Sequence, residues 1–239
     1  MSMKNYVILL AGGVGKRMQA DFPKQFIDVE GKPIIVHTAE RFQRNPQIEK
    51  IVVVCVPEWM DHLHNLVELY TLTKVQWIIE GGNTGHDSIR NGIFFLRDKI
   101  DSDDFVIVHD AVRPVLPQKA IDEVIRVAHE KGNASSSIAC HPPIVYTEDF
   151  VSGITDVDRE HVMLTASPQA FYYGLALKCY EKAEEEKKHD FTFTSSLLIY
   201  CGERVYFAKG TSSNIKITTK EDLALFRALL KVPEEMLYS

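Results

Sequence analysis

Residues 10–25 read LAGGVGKRMQADFPKQ, and an apolar run, Tyr6-Val7-Ile8-Leu9-Leu10, leads straight into them. The run breaks at Gly12, Gly13 and Gly15; Lys16 and Arg17 follow, then Lys24 after Pro23. Glycines without a Cβ let backbone N–H groups approach a bound anion closely. Cations at the same spot neutralise it. The combination predicts a polyphosphate site where a strand hands over to a helix, since helix N-termini attract anions. Two better-known templates do not fit. A Walker loop needs glycine where Leu10 stands and a hydroxyl where Arg17 stands. A dinucleotide fingerprint needs a third small residue where Met18 stands. The plain alternative is an ordinary strand-to-helix turn, which rarely gathers three glycines and three cations in so short a span.

Working outward, strand-like and helix-like segments alternate. Strands are predicted at 7–10, 51–56, 75–79, 105–109 and 137–140, with helices near 33–45, 59–70, 87–98 and 117–131. The strand runs are four to six residues long, β-branched and unalternating, as in strands buried on both faces of a parallel sheet. This predicts an α/β fold: a three-layer Rossmann-like sandwich with a mainly parallel sheet. The pattern changes at Pro142-Pro143. Pieces at 144–146 and 151–158 predict a hairpin around Gly153, a protruding β-arm within 142–165 suited to packing on a second subunit. A helix at 175–188, a strand at 205–208 and a helix at 220–230 complete the pattern. No linker divides the 239 residues, which read as one domain.

Composition narrows the function. The chain is 45% hydrophobic and 25% charged, with a net charge of −6. An acidic balance argues against a nucleic-acid binder. Charged residues interrupt every apolar segment, so no membrane span is expected, and the first apolar run reads as a core strand rather than a signal peptide. Cys55, Cys140, Cys179 and Cys201 are scattered, without metal-ligand or disulfide-framework spacing. Cys55 and Cys140 sit in apolar strand-like contexts, so buried free thiols are expected there, which fits a reducing cytoplasm.

Further constellations carry chemistry. Val108-His109-Asp110-Ala111-Val112-Arg113-Pro114 places Asp110 at the carboxyl end of a strand, the edge where open α/β sheets bind ligands. There it could hold Mg²⁺, or cap a turn before Pro114. Gly81-Gly82-Asn83-Thr84-Gly85-His86-Asp87-Ser88 is a second glycine turn, with amides and hydroxyls for a base or ribose, although such a turn also marks any loop. In Asn214-Ile215-Lys216-Ile217-Thr218, alternation predicts a strand with Ile215 and Ile217 on one face and Lys216 on the other. Lys216 alone reads most simply as an exposed edge lysine. Arg159 alone reads as a solvated arginine.

Taken together, Ala-Gly-Gly-x-Gly-x-Arg-Met with Pro-Lys-Gln, Gly81-Gly82 to Ser88, His109 to Pro114, Asp158-Arg159, Pro168-Gln169-Ala170-Phe171 and Asn214 to Thr219 resemble the small CTP-dependent polyol-phosphate cytidylyltransferases. These act on ribitol 5-phosphate or 2-C-methyl-D-erythritol 4-phosphate. The resemblance spans nearly the whole chain and implies roles. Leu10, Ala11, Gly12, Gly13, Val14, Gly15 and Lys16 would wrap the CTP triphosphate, with Arg17 and Lys24 stabilising the transition state. Gly82, Asn83, Asp87, Ser88 and Ala111 would meet cytidine, and Asp110 would hold Mg²⁺. Arg159 and Lys216 would position the acceptor phosphate, with Arg113, Thr147 and Thr192 around its polyol end. In the family the arm crosses to the partner, which implies a homodimer with Thr147 and Arg159 serving the neighbour's site. Gly31-Lys32-Pro33-Ile34-Ile35-Val36-His37-Thr38, Pro57-Glu58-Trp59-Met60 and Val112 look more like the ribitol-phosphate branch.

The chemistry agrees with the resemblance. A phosphate monoester is already largely dianionic near neutral pH, its second pKa being about 6. It needs relief from anion–anion repulsion and an in-line approach rather than a general base. Four positions depart from the family pattern: Gly85, where an arginine or other polar residue is usual; Ser213, where an acid is usual; and Tyr146 and Phe193, each replacing a carboxylate beside Thr147 or Thr192. The last two raise the expectation of an acceptor that is neither standard polyol. A sugar-1-phosphate pyrophosphorylase shares the first loop but not the arm or the Asn-Ile-Lys motif. A silent nucleotide-binding homologue would have no need of the retained cations.

Overall fold

The computed structural model describes residues 3–13 and 22–238. In chain order the elements are β1 (Asn5–Ala11), β2 (Asp28–Val29), β3 (Lys32–Pro33), α1 (Ile34–Arg44), β4 (Ile48–Cys55), α2 (Met60–Leu69), β5 (Val75–Glu80), α3 (Gly85–Phe95) and β6 (Phe105–Asp110). There follow α4 (Gln118–Lys131), β7 (Asn133–Ala139), β8 (Ile144–Tyr146), β9 (Thr155–Val157), β10 (Met163–Tyr172), α5 (Tyr173–Glu185), α6 (Thr194–Tyr200), β11 (Phe207–Lys209) and α7 (Lys220–Leu229). Seven strands form one sheet in the order β11-β7-β10-β6-β1-β4-β5. Every pairing in it is parallel except those of β10, which runs antiparallel to both β6 and β7.

The unalternating runs of β1, β4 and β6 are buried on both faces, as the sequence predicts, whereas the run at 75–79 forms the edge strand β5 and is only half-buried. In β1, Val7, Leu9 and Ala11 face one layer while Ile8 faces the other. The first layer packs Ile35, Val36, Ala39 and Phe42 of α1, Leu63 and Leu66 of α2, and Ile121, Val124 and Ile125 of α4. The second packs Ile89 and Ile93 of α3, Ala176, Cys179 and Tyr180 of α5, and Leu197 and Leu198 of α6. Helices thus cover both faces of the sheet, the three-layer arrangement expected of buried parallel strands. From β1 the chain moves outward to β4 and β5, then returns to β6 on the other side of β1. The carboxyl ends of β1 and β6 therefore flank a topological switch point, the place where such sheets bind ligands.

Two features depart from the sequence reading. The run at 163–172 is a strand of ten residues, β10, which the polar character of 144–165 and Pro168 conceal. Its register with β7 shifts between Ala166 and Gln169, so the proline sits where the ladder is broken. Conversely, the alternating segment 214–218 joins no sheet among the described residues. The alternation still reports the faces: Ile215 and Ile217 pack with Val112 and Phe226. The predicted hairpin is present, with β8 and β9 paired antiparallel as a separate two-stranded unit. Val145, Phe150, Val151 and Ile154 on it are exposed.

Candidate active site

A cleft of about 380 Å³ opens at the switch point. Leu10, Gly12 and Gly13 form its floor at the end of β1, and Asp110 stands at the end of β6. Gly82, Asn83, Thr84, Gly85 and Ser88 form one wall; Lys24, Gln25, Lys216 and Thr218 form the other. Segments far apart in sequence thus meet at one sheet edge.

The wall at 81–88 is rigid for local reasons. Thr84 caps α3: its Oγ1 accepts from the Asp87 amide at 3.1 Å, and its own amide donates to Asp87 Oδ2 at 3.1 Å. This is a reciprocal capping box. Ser88 Oγ accepts from the Gly82 amide at 3.1 Å and donates to the Thr84 carbonyl at 3.0 Å, closing the turn. Gly82 has no room for a side chain, since a Cβ there would stand 2.2 Å from Asp87 Cβ. Gly12 approaches Ser88 similarly, a Cβ lying 3.0 Å from its Oγ. Asp87, predicted to meet the nucleoside, spends its carboxylate on the cap and on Arg90 at 3.4 Å. Ala111 lies buried beneath the cleft, its carbonyl accepting from Thr38 Oγ1 at 2.8 Å. Ala11 likewise holds the floor, its carbonyl accepting from Gln25 Nε2 at 2.6 Å.

Asp110 is the electrostatic centre of the opposite side. Its Oδ2 lies 2.9 Å from Arg113 Nε, and its Oδ1 lies 3.1 Å from Lys216 Nζ. Burial alone would raise this carboxyl, but Lys216 and then Arg113 outweigh it and hold it at about 2. Lys216 is therefore not a free edge lysine; its partner lies 106 positions away in sequence. Arg113 also donates from Nη1 to the Asn214 carbonyl at 2.8 Å, and Asn214 Nδ2 donates to the Ser167 carbonyl at 2.7 Å. Lys24 is buried and donates from Nζ to the Ile217 carbonyl at 2.8 Å. Beneath them His109, fully buried, donates from Nε2 to the Arg113 carbonyl at 3.1 Å, and burial lowers its pKa to about 4.

Not every predicted residue comes to this cleft. Val14, Gly15, Lys16 and Arg17 lie outside the described residues. Arg159 and Thr147 stand on the hairpin: Arg159 Nη1 donates to the His141 carbonyl at 2.6 Å, and Thr147 Oγ1 donates to Asp149 at 3.0 Å. Thr192 is exposed ahead of α6, and neither it, Phe193 nor Tyr146 lines the cleft. Ser213 bonds the Leu237 carbonyl at 3.1 Å and points toward the C-terminal segment. Gln25, Thr84 and Thr218 are wall residues that the sequence reading did not single out. The Thr-x-x-Asp spacing at 84–87 and 219–222 is the signal that could have found the two capped helices flanking the cleft.

The donor set bears on a divalent cation. Among the described residues no group of three or more His, Cys, Asp or Glu gathers. Asp110 is the one carboxylate among the described residues lining the cleft. That is too few for an all-protein cage and enough for a hard cation held mainly by phosphates and water. Asp110 Oδ1 retains lone-pair capacity beyond Lys216, whereas Oδ2 accepts from both Arg113 and, at 3.4 Å, Ser167 Oγ.

Comparison with known proteins places the chain. It is 38% identical to a ribitol-5-phosphate cytidylyltransferase of Lacticaseibacillus paracasei, over 95% of this chain and 98% of that one. It is 35% identical to a 2-C-methyl-D-erythritol 4-phosphate cytidylyltransferase of Syntrophus aciditrophicus, over 98% and 99% of the two chains. A solved 4-diphosphocytidyl-2C-methyl-D-erythritol synthase superposes with a TM-score of 0.82 at 24% identity, covering 97% of this chain and all of the other, which establishes the shared fold. Residues 5–232 match the family model described as IspD, 2-C-methyl-D-erythritol 4-phosphate cytidylyltransferase. The chain belongs to this cytidylyltransferase family and is an enzyme of the nucleotidyltransferase class.

Proposed function

We propose that the enzyme joins CTP to ribitol 5-phosphate, releasing pyrophosphate and forming CDP-ribitol. The observation that carries this reading is the convergence of Lys24, Lys216 and Asp110 on a glycine-floored cleft at the switch point. The choice of ribitol 5-phosphate over 2-C-methyl-D-erythritol 4-phosphate rests on the relatives at 36 to 38% identity, which carry that name. The departures at Tyr146 and Phe193 lie off this chain's cleft lining, beside Thr147 and Thr192, and the acceptor panel below tests what they select.

In this reading an oxygen of the acceptor phosphate attacks the α-phosphorus of CTP. A new P–O bond forms, the bond from the α-phosphorus to the α–β bridging oxygen breaks, and pyrophosphate leaves with the electron pair. No proton need be removed from the dianionic nucleophile. The walls at 81–88 receive cytidine, and the amides of Gly12 and Gly13, with Val14, Gly15, Lys16 and Arg17, receive the triphosphate. Lys24 and Arg17 stabilise charge growing on the α-phosphate. Lys216 draws the acceptor phosphate against it, overcoming anion–anion repulsion. Arg113, already holding Asp110, sits behind the polyol end. Mg²⁺, held by Asp110 and the substrate phosphates, would shield the triphosphate charge.

The arm supports a homodimer. Its apolar side chains are exposed, and Thr147 and Arg159 are absent from the cleft lining, as suits residues that complete a site together with a second copy. Four free cysteines fit the reducing cytoplasm, and no helix among the described residues is long and apolar enough to cross a membrane. Pyrophosphate release from CTP with Mg²⁺ and a panel of polyol and sugar phosphates tests the proposal. The highest kcat/KM is expected for ribitol 5-phosphate. Release that prefers 2-C-methyl-D-erythritol 4-phosphate would move the enzyme to the other branch, and none with any acceptor would refute turnover.

A further inference from the structure

The segment that carries Lys216 has no place in the sheet, yet both cleft lysines depend on it. Lys216 projects from it to Asp110, and Lys24 bonds the carbonyl of the next residue, Ile217. On its N-terminal side the segment is held by Arg113 on the Asn214 carbonyl and by Asn214 on Ser167. Ile217 donates its amide to the Val112 carbonyl at 2.9 Å. On its C-terminal side the anchor is a single carboxylate oxygen: Asp222 Oδ2 accepts from Thr218 N at 2.7 Å, Thr218 Oγ1 at 2.7 Å and Thr219 N at 2.8 Å.

A helix cap alone does not require this. The box that starts α3 is the internal comparison: Asp87 accepts from the amide and hydroxyl of its own N-cap residue, Thr84. In α7 the corresponding Asp222 reaches one residue further back and grips both polar hydrogens of Thr218, a cleft-lining residue adjacent to Ile217. A charged acceptor makes such bonds stronger than neutral ones. The Thr218 amide and hydroxyl are thereby both engaged by Asp222, and the peptide that presents the Ile217 carbonyl to Lys24 is held from its C-terminal side.

We infer that Asp222 is a positioning residue for the transfer reaction, holding the 216–218 segment so that Lys24 and Lys216 meet the two phosphates in register. The inference rests on the proposed roles of those lysines. A misplacement of about 1 Å can cost about a hundredfold in rate. Steady-state kinetics of pyrophosphate release, with CTP and ribitol 5-phosphate, test it in Asp222→Ala, Asp222→Asn, Thr219→Ala and Lys216→Ala. Asp222→Ala is expected to lower kcat about 10- to 100-fold with KM for CTP changed less than about threefold. Asp222→Asn keeps an accepting oxygen and should return kcat to within about threefold of the parent. Thr219→Ala removes the cap oxygen of the same helix without touching Thr218. It should lower Tm comparably to Asp222→Ala and leave kcat near the parent value. Equal kcat losses in Thr219→Ala and Asp222→Ala, or no loss in the latter while Lys216→Ala is impaired, would overturn the positioning role alone. Full activity in Lys216→Ala would overturn the reading of the lysines, and this inference with it.

Discussion

Gly12, Gly82 and Ser88 reach the cleft on elements bonded into or packed upon the central sheet, whereas Thr147 and Arg159 stand on a hairpin whose two strands pair only with each other among the described residues. On the first side, amides, hydroxyls and carboxylates are already satisfied within one chain: Ser88 closes the turn, Thr84 and Asp87 cap the helix, and Gln25 bonds the floor. On the second, large apolar side chains are left in solvent and the predicted acceptor residues do not line the cleft. A polyphosphate needs a preorganised cradle, and one chain supplies it. An acceptor site built on an arm needs something for the arm to meet.

The two lysines where these sides join should show the largest effects. Lys24→Ala and Lys216→Ala are each expected to lower kcat about 100- to 1000-fold, the range for removing one oxyanion-type donor. Lys24→Ala should leave the CTP dissociation constant within about threefold if its charge acts mainly in the transition state. Calorimetric CTP titration alongside turnover separates the two effects. A Lys24→Ala enzyme that binds CTP poorly but keeps kcat would place this lysine wholly on the nucleotide side.

The next measurement attacks the comparison directly. Arg159→Ala should lose about a hundredfold in kcat/KM for the acceptor if the arm serves a site. Mixing inactive Arg159→Ala and Lys216→Ala subunits and allowing exchange should restore about a quarter of wild-type activity, because half the two-fold dimers then contain one intact site. No recovery, with dimers present, would put Arg159 in its own chain's site and remove the difference between the two sides.

Stability should also divide along this line. His109 lies on the sheet side with its pKa lowered by burial to about 4, against about 6.5 in an unfolded chain. Between those values the unfolded state binds the proton first. The stabilisation is therefore complete above about pH 6.5 and is lost as pH falls toward about 4, amounting to about 3 kcal/mol. His109→Gln keeps a donor for the Arg113 carbonyl and cannot titrate. Urea unfolding across that window should show the variant's stability falling by about 3 kcal/mol less than the parent's. Equal slopes would assign the acid sensitivity to another group.

How far the sequence reveals each side follows from the range of the interactions. The strands β1, β4 and β6 are legible because burial on both faces demands unbroken apolar runs. Asp110 is legible as a strand-end carboxylate for the same reason. β10 is hidden, because Ser167 and Pro168 interrupt its apolar pattern where the register shifts. The segment at 214–218 misleads in the opposite sense: its alternation sorts the side chains correctly, but its backbone partners are Arg113, Val112 and Lys24 rather than a neighbouring strand. Lys216 reads as a solvated lysine until the fold brings Asp110 to it. Family resemblance picks out Lys24 and Lys216, but no local pattern announces that one short segment holds both.

The smallest effects test how finely the nucleotide wall is shaped, at two glycines three residues apart. A methyl group at Gly82 would meet Asp87 Cβ at 2.2 Å and its backbone carbon at 2.9 Å, so the turn must move. Gly82→Ala should cost about 1–3 kcal/mol of stability and weaken CTP binding with it. At Gly85 a Cβ meets nothing within 4 Å, and the residue opens α3 without a left-handed backbone. Gly85→Ala should therefore stabilise by about 0.5 kcal/mol through loss of unfolded-chain entropy. That raises Tm by about 1–2 °C in a domain of this size. Because Gly85 lines the cleft, KM for CTP in this variant decides what the empty space is for. An unchanged KM leaves the wall complete at Gly82 to Ser88 without it. A tenfold rise would mean that the nucleobase itself occupies the space a side chain at this position would take.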